Sequence, residues 1–141
     1  MSRIFWDTNL FIYLVEGRSE AARAVAGLRQ RMLERGDQLC TSTLTLGEVL
    51  VKPTQAGRAD LVAKYEEALT SAAVLMIPFD MDCARLYARL RQDKSIRAPD
   101  AIQLACAAGA SCDLFITNDD RLSRRIIPGI QFIVPLDRVF L

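Results

Sequence analysis

The chain has 141 residues, of which 51% are hydrophobic and 25% charged, and its formal net charge at pH 7 is +1. This size and composition are typical of one globular domain and exclude a disordered protein, and no apolar stretch is long enough to span a membrane. We therefore expect a single domain over residues 1–141 in the cytoplasm. No signal peptide is expected, because Asp7 and Asn9 interrupt the first apolar run.

Apolar runs bounded by Gly, Pro and capping residues predict strands that alternate with helices. In chain order we expect a strand at 3–6, helices at 8–15 and 20–35, a strand at 38–41, helices from 43 to about 53 and at 57–72, a strand at 74–78, helices at 81–91 and 100–108, a strand at 114–117, a helix at 120–125 and a strand at 131–134. Ser19 and Asp80 are predicted N-caps, and Gly36 a helix end. The alternation predicts an α/β fold with a central parallel sheet of about five strands.

Histidine is absent, which excludes catalysis by Ser-His-Asp or Cys-His groups and the usual His-bearing zinc centres. The four cysteines form no C-x-x-C pair, so we expect reduced thiols that pack as small apolar side chains. Chemistry near neutral pH is then left to carboxylates, lysine or a metal ion. Fifteen of the eighteen basic residues are Arg, whose planar fork suits phosphate, although the net charge does not by itself indicate nucleic acid.

Polar and acidic side chains follow two of the predicted strands at their carboxyl ends. Asp7 and Asn9 follow the first strand, and Asp119 and Asp120 follow the fourth strand, which ends at Thr117. In open parallel sheets, ligands bind beyond the carboxyl ends of the strands, where the strand order reverses. If the first and fourth strands are neighbours, Asp7 and Asp119 face each other across that crevice.

Two further acids lie in predicted helices. Thr45 and Glu48 have the spacing of a capping box, but Ser42 and Thr43 are the better helix start, which leaves Glu48 among apolar neighbours and in need of a partner. Asp100 lies in the first turn of the most apolar helix, where the helix dipole alone would account for it. Asp7 is equally well explained as an N-cap, so each acid taken singly is ambiguous.

Together the four acids predict a cation site. Carboxylates that share a pocket repel one another and raise each other's pKa, and a divalent cation relieves this repulsion. Mg²⁺ or Mn²⁺ prefers oxygen ligands and commonly works beside phosphates, whereas an all-oxygen site without His is not typical of zinc.

Four motifs occur in order along the chain: Ile4-Phe5-Trp6-Asp7-Thr8-Asn9, Ser42-Thr43-Leu44-Thr45-Leu46-Gly47-Glu48-Val49, Ala98-Pro99-Asp100-Ala101-Ile102-Gln103-Leu104-Ala105 and Ile116-Thr117-Asn118-Asp119. With these motifs the sequence resembles the PIN-domain ribonucleases, specifically the VapC-like toxins of bacterial toxin–antitoxin pairs, over nearly its whole length. The resemblance implies a three-layer α/β/α fold of the PIN, Rossmann-like type. It also implies an RNA substrate, a homodimer and a cognate antitoxin that blocks the site.

The resemblance assigns roles to individual residues. It implies an acidic metal site made of Asp7, Glu48, Asp100 and Asp119, with Asn9 and Thr117 as supporting residues and Asp120 as a second-rank candidate. The resulting hypothesis is metal-dependent hydrolysis of an RNA phosphodiester. Asp7, Asp100 and Asp119 would bind one or two Mg²⁺ or Mn²⁺ ions, and Glu48 would act as a ligand or as a base that orients water. Arg97 and Arg121 are candidates for binding the flanking phosphates.

Two alternatives stay open. A phosphatase or phosphotransferase could use Asp7 as a nucleophile, but such sites usually have a second Asp two residues later, where this chain has Asn9, and the chain has only three Lys. A non-catalytic RNA- or protein-binding PIN module is the other alternative, because a fold does not fix a function. The presence of all four acids argues against it.

Overall fold

A five-stranded parallel sheet runs through the centre of the computed structural model, which describes residues 1–141. The strands are β1 (Arg3–Trp6), β2 (Gln38–Ser42), β3 (Val74–Ile77), β4 (Leu114–Thr117) and β5 (Phe132–Pro135), in the order β3-β2-β1-β4-β5. Every neighbouring pair is parallel, so all five strands end at the same edge. The strand order reverses between β1 and β4, whose residues Trp6 and Ile116 are in register. The predicted neighbour relation of the first and fourth strands is confirmed.

Helices cover both faces of the sheet. They are α1 (Thr8–Glu16), α2 (Glu20–Arg35), α3 (Thr43–Gln55), α4 (Ala59–Thr70), α5 (Met81–Leu90), α6 (Ala98–Gly109) and the short α7 (Asp120–Ser123), and a 3-10 turn at Leu136–Arg138 follows β5. Ile4 and Trp6 lie in an apolar cluster with α1, α2 and α4, whereas Phe5 lies in a second cluster with α5 and α6. Since successive strand residues point to opposite faces, β1 contributes to both cores. The expected three-layer α/β/α architecture is confirmed, and no helix is both long and apolar enough to cross a membrane.

Several local predictions are confirmed at the level of single bonds. The Ser19 hydroxyl accepts a hydrogen bond from the Ala22 backbone N–H at 3.2 Å, and the Asp80 carboxylate accepts one from the Cys83 N–H at 2.9 Å. Gly36 ends α2 with a φ of 72°, in the left-handed region that glycine adopts without strain. All four cysteines are free and buried, as the apolar sequence around them predicts.

The predicted boundaries are wrong at several helix ends. α3 continues past Pro53 to Gln55, because the proline removes only one backbone donor and the N–H groups after it still bond, as Ala56 does to the Lys52 carbonyl at 3.0 Å. α4 begins at Ala59 rather than at residue 57, since Gly57 has a φ of 66° and cannot belong to a right-handed helix. α5 is one residue shorter than predicted and ends at Leu90.

The elements that flank the site also differ from their predicted bounds. α6 begins at Ala98, two residues before the predicted start, so that Pro99 lies in its first turn and Asp100 is its third residue. α7 ends at Ser123 rather than at 125, and the chain turns towards β5. β5 begins at Phe132, one residue later than predicted, because the Phe132 N–H is the one that pairs with the Asp113 carbonyl at 3.0 Å.

Candidate active site

Asp7 stands at the carboxyl end of β1, and its backbone is tied to β4 by a hydrogen bond from the Asp7 N–H to the Ile116 carbonyl at 3.0 Å. One carboxylate oxygen accepts from the Thr8 N–H at 2.9 Å, which makes Asp7 the N-cap of α1. The other oxygen accepts from the Thr117 hydroxyl at 2.8 Å. The capping role therefore accounts for one oxygen, while the second faces the end of β4.

The surroundings of Asp7 disfavour its charged form. Burial raises the pKa of Asp7 above its ordinary value, the hydrogen bonds from Thr117 and Thr8 lower it, and the charges of Asp100 and Glu48 raise it again. The net direction is upward. The hydrogen bonds of Asp7 therefore only partly offset the effect of burial on its carboxylate, at a point where two other acids add to the repulsion.

Thr117 links Asp7 to Asp119. Its buried hydroxyl donates to Asp7 and accepts from the Asp119 N–H at 3.0 Å. Asp119 in turn caps α7 by accepting from the Arg121 N–H at 2.9 Å. Asp7 and Asp119 therefore lie on the same side of the molecule, joined through one threonine. The resemblance implied Thr117 as a supporting residue, and the structure shows that Thr117 contacts both acids.

Asp100, in the first turn of α6, connects the remaining acids. Burial raises the pKa of Asp100, Arg97 lowers it, and the charges of Asp119 and Glu48 raise it, with a net upward direction. Asp100 is therefore within electrostatic reach of Asp119 on one side and of Glu48 on the other. All four predicted acids contribute to one region beyond the carboxyl ends of the strands.

Glu48 is exposed on α3, and the Thr8 hydroxyl donates to its carboxylate at 2.6 Å. Thr45 lies inside α3 and is buried, so the capping box that its spacing with Glu48 would allow is not formed. The expectation that Glu48 needs a partner is met, although the acid is not surrounded by apolar side chains as predicted. The partner is Thr8, which the sequence did not single out.

Two arginines lie against the acids. Arg121 binds both oxygens of Asp119, at 3.2 Å and 2.8 Å, and Arg97 is 3.7 Å from both Asp100 and Asp119. The side chains of Arg97 and Arg121 are 62% and 61% exposed, so each can also meet a ligand from solvent. No three acidic or thiol side chains converge closely enough to form a ready-made cation site.

The donor chemistry of the site nevertheless fits a divalent cation. All four acids offer hard oxygen donors, which suit Mg²⁺ or Mn²⁺. The upward pKa shifts of Asp7 and Asp100 arise from burial and from neighbouring acids, and both causes disfavour the ionised carboxylates, which a bound cation would stabilise. Asp7, Asp100 and Asp119 are the residues that could hold such an ion.

Two predicted supporting residues make no contact with the acids. Asn9 and Asp120 are exposed, and neither side chain forms a hydrogen bond. Their supporting roles stay predictions. Thr8, one position before Asn9, makes the contact with Glu48, and Gln103 of α6 donates to the Thr8 hydroxyl at 3.1 Å. The sequence signal for Gln103 was a single amide within an otherwise apolar helix, where a buried polar group requires partners.

The fold and the site together define the class to which this protein belongs. It is an open parallel α/β protein whose candidate ligand site lies at the switch point between β1 and β4 and is made of carboxylates. The chain belongs to the PIN-domain family, because the model of the PIN domain matches residues 4–126. The resemblance inferred from the four motifs is confirmed.

Solved structures share this fold over nearly the whole chain. VapBC2 from Rickettsia felis, bound to a DNA fragment from its promoter, has a TM-score of 0.72 at 15% identity, with 94% of this chain and 98% of the other covered. A toxin–antitoxin complex from Klebsiella pneumoniae has a TM-score of 0.65 at 27% identity, with coverages of 90% and 94%. VapC20 from Mycobacterium tuberculosis, a toxin that cleaves the sarcin–ricin loop, has a TM-score of 0.66 at 14% identity, with coverages of 87% and 96%. No curated protein matches the chain significantly.

Proposed function

We propose that this chain is a metal-dependent endoribonuclease that acts as the toxin of a toxin–antitoxin pair. The observation that carries the proposal is that four acids, which follow β1, lie in α3 and α6 and precede α7, influence one another electrostatically at the switch point of a PIN domain. The similar structures support it, since one is a toxin that cleaves the sarcin–ricin loop and another is a toxin–antitoxin complex.

The proposed roles follow from the contacts of each residue. Asp7, Asp100 and Asp119 hold one or two Mg²⁺ or Mn²⁺ ions, and Thr117 keeps the first and last of these acids at a fixed separation through its two hydrogen bonds. A bound divalent cation supplies positive charge at the scissile phosphate and acidifies water. Glu48, which is exposed to solvent and held from one side by Thr8, acts as a further ligand or takes the proton of the attacking water.

Arg97 and Arg121 bind phosphates that flank the scissile bond. Both guanidinium groups are exposed and lie beside Asp119, and an Arg fork can bond two phosphate oxygens at once. Phosphate binding by these residues requires that they release part of their contact with Asp119. A cation held by Asp119 would neutralise this carboxylate in place of the two guanidinium groups.

The proposed partners are a cognate antitoxin that covers the acidic site and a second copy of the chain in a homodimer. The similar structures support an antitoxin partner, since they include toxin–antitoxin complexes, whereas the homodimer is proposed from the family resemblance alone. We also propose that residues 1–141 form a single PIN domain and that the protein meets its RNA substrate in the cytoplasm. An aspartyl-nucleophile mechanism has no support from the contacts of Asp7, because Asn9 is exposed and none of the three lysines forms an ion pair with the acids.

The test of catalysis compares cleavage of a labelled RNA by the wild-type protein with Mn²⁺, with excess EDTA, and by the Asp7→Asn variant. We expect chelation and the substitution each to lower the rate by roughly 10²-fold or more, because each removes charge stabilisation at the phosphate. Excess Mn²⁺ added after EDTA should restore the wild-type rate only.

Asp82→Asn is the matched control, since Asp82 is an exposed acid of α5 whose partner is Arg85. This variant should cleave at the wild-type rate. Cleavage that continues unchanged in EDTA and in Asp7→Asn would end the proposal.

A further inference from the structure

We infer that Gln103 and Thr8 are positioning residues, which hold the Glu48 carboxylate at the acidic site through a chain of hydrogen bonds with a fixed direction. The inference deepens the proposed ribonuclease function and rests on it for its activity readout. Neither residue was a candidate on sequence grounds.

The chain of bonds lies in a buried polar patch between β2, α3 and α6. Thr41, Ser42, Thr45 and Gln103 are all buried, although residues at such positions are usually apolar. Buried polar groups destabilise the fold unless they are paired, and here each one has a partner among the others. The patch therefore has a definite pattern of donors and acceptors.

The direction of the bonds follows from counting protons, starting at Trp6. The Trp6 carbonyl can only accept, and the Thr41 hydroxyl donates to it at 3.0 Å. Thr41 has no second proton, so in its 2.8 Å hydrogen bond with the Thr45 hydroxyl it is Thr45 that donates. The Thr45 oxygen is then left with lone pairs only, and the group that approaches it at 2.7 Å must be a donor.

That group is the side-chain amide of Gln103, whose orientation is thereby decided. Its nitrogen faces Thr45, and its carbonyl oxygen accepts from the Ser42 hydroxyl. The second N–H of the amide donates to the Thr8 hydroxyl oxygen at 3.1 Å. Gln103 is thus the point from which two series of hydrogen bonds run, one towards Trp6 and one towards Glu48.

Thr8 completes the second series. Its oxygen accepts from Gln103, so its single proton is available for Glu48, and the carboxylate accepts it at 2.6 Å. Both series therefore end at groups that can only accept, the Trp6 carbonyl and the Glu48 carboxylate. Reversing a bond within either series would leave two acceptors facing each other with no proton between them.

The arrangement fixes a side chain that would otherwise move freely. Glu48 is exposed and has a long flexible side chain, and the Thr8 hydroxyl is the group of the protein that holds its carboxylate. Gln103 lies three residues after Asp100 on α6, so the same helix supplies one acid of the site and the anchor for another. Loss of the anchor should leave the acid in place on α3 and misdirect only its carboxylate.

The first experiment measures RNA cleavage by Thr8→Val, which keeps the shape of the side chain and removes the hydroxyl. We expect kcat to fall roughly 10- to 100-fold, as is usual when a group that orients a catalytic side chain is lost, with KM unchanged. Thr8→Ser should restore most of the rate, and Gln103→Met should lower kcat in the same direction. Thr54→Val, the same change at an exposed residue of α3, is the matched control and should leave kcat unaltered.

The second experiment separates positioning from a structural effect by repeating Thr8→Val in a Glu48→Ala background. If Thr8 acts through Glu48, the added substitution should change the remaining rate less than twofold. A fall by the same factor in both backgrounds would overturn the inference. Thermal unfolding verifies that each variant folds, and Thr8→Ala replaces Thr8→Val if the valine prevents folding.

A third readout does not depend on activity. In metal-free protein with ¹³C-labelled glutamate, the carboxyl resonance of Glu48 should shift in Thr8→Val and in Gln103→Met but not in Thr54→Val. An unmoved resonance in Thr8→Val disproves the positioning role. A wild-type protein that cleaves no RNA would instead disprove the proposed function, and the resonance would still test the contact.

Discussion

A single carboxylate, that of Asp7, serves two purposes in this protein. It caps α1 through one oxygen and meets Thr117 through the other, so it stabilises the chain locally. Burial and the charges of Asp100 and Glu48 nevertheless make its ionised form unfavourable, and its pKa is raised. A residue chosen only for stability at this position would be neutral. An acid whose charged form the fold disfavours is what the proposed metal-binding role of Asp7 leads one to expect.

This conflict predicts that Asp7→Asn stabilises the metal-free protein while it abolishes cleavage. The amide keeps an oxygen for the Thr8 N–H and removes a charge that the folded state disfavours. At pH 7 in EDTA, we expect the free energy of unfolding to rise, measured by urea denaturation.

The sign of this effect also predicts its pH dependence. Because the pKa of Asp7 in the folded protein lies above its ordinary value of 3.8, the folded state takes up the proton first as the pH falls. The advantage of Asp7→Asn over the wild type should thus be largest near neutral pH and vanish towards pH 3.8. Asp60→Asn is the contrasting control, since Arg58 lowers the pKa of exposed Asp60 to about 2 and its removal should not stabilise. An Asp7→Asn protein that is less stable in EDTA contradicts the argument.

The junction between α1 and α2 shows how closely two elements can approach. Gly17 ends α1 at an ordinary φ of −76°, so glycine is not required there by the backbone conformation. A β-carbon at this position would lie 2.5 Å from the Ala22 β-carbon and 2.6 Å from the Tyr13 carbonyl oxygen. Both neighbours are fixed parts of helices, so the requirement at Gly17 is for space.

We therefore expect Gly17→Ala to destabilise the protein by roughly 1–3 kcal/mol, because the two helices must separate to admit the methyl group. Gly47→Ala is the matched comparison: it lies inside α3, and a β-carbon there would meet nothing within 4 Å. That substitution should stabilise by about 0.5–1 kcal/mol through helix propensity. Thermal or chemical unfolding of the two variants measures both effects, and a stable Gly17→Ala would show that the helices shift without loss.

At the scale of the whole molecule, the strand order brings distant acids together. β1 and β4 are neighbours although their register partners Phe5 and Phe115 are 110 positions apart in the sequence, and Asp7 and Asp119 follow the ends of these two strands. The α6 helix adds Asp100, so three separate parts of the fold contribute like charges to one place. A ligand that binds all three acids can do so only in the folded state, because only the fold brings the ends of β1 and β4 and the start of α6 together.

Binding of a divalent cation should therefore raise the melting temperature, since a ligand that binds only the folded state stabilises it by mass action. With Mn²⁺ at about 100 times its dissociation constant, the expected stabilisation is about 2.7 kcal/mol. Asp7→Asn should lose most of this gain, so that its advantage over the wild type in EDTA shrinks or reverses in Mn²⁺. Differential scanning fluorimetry in EDTA, Mn²⁺ and Ca²⁺ measures the shifts, with Asp82→Asn as the control. A wild-type melting temperature that is indifferent to Mn²⁺ argues against a cation at these acids.

Local patterns in the sequence were sufficient to predict most elements and the identity of the acids. Ser19, Asp80 and Gly36 act at helix ends through bonds within a few residues, so their roles could be inferred from neighbours alone. The alternation of strands and helices then predicted the parallel sheet. The end of α3 at Gln55 and the start of α4 at Ala59 were predicted wrongly. Whether Pro53 ends a helix, and whether Gly57 adopts a left-handed φ, depends on one or two backbone hydrogen bonds that the sequence pattern does not show.

The partners of the acids were decided only by the tertiary structure. Gln103 reaches Thr8 across 95 positions of sequence, and Thr117 reaches Asp7 across 110. Arg97 approaches Asp119 because α6 and α7 start beside each other, which no local pattern encodes. The sequence specifies which polar groups each side chain carries, whereas the direction and partner of each hydrogen bond depend on which elements pack together. For this protein the sequence singled out the carboxylates of the candidate site, and the fold decided which neutral side chains form hydrogen bonds with them.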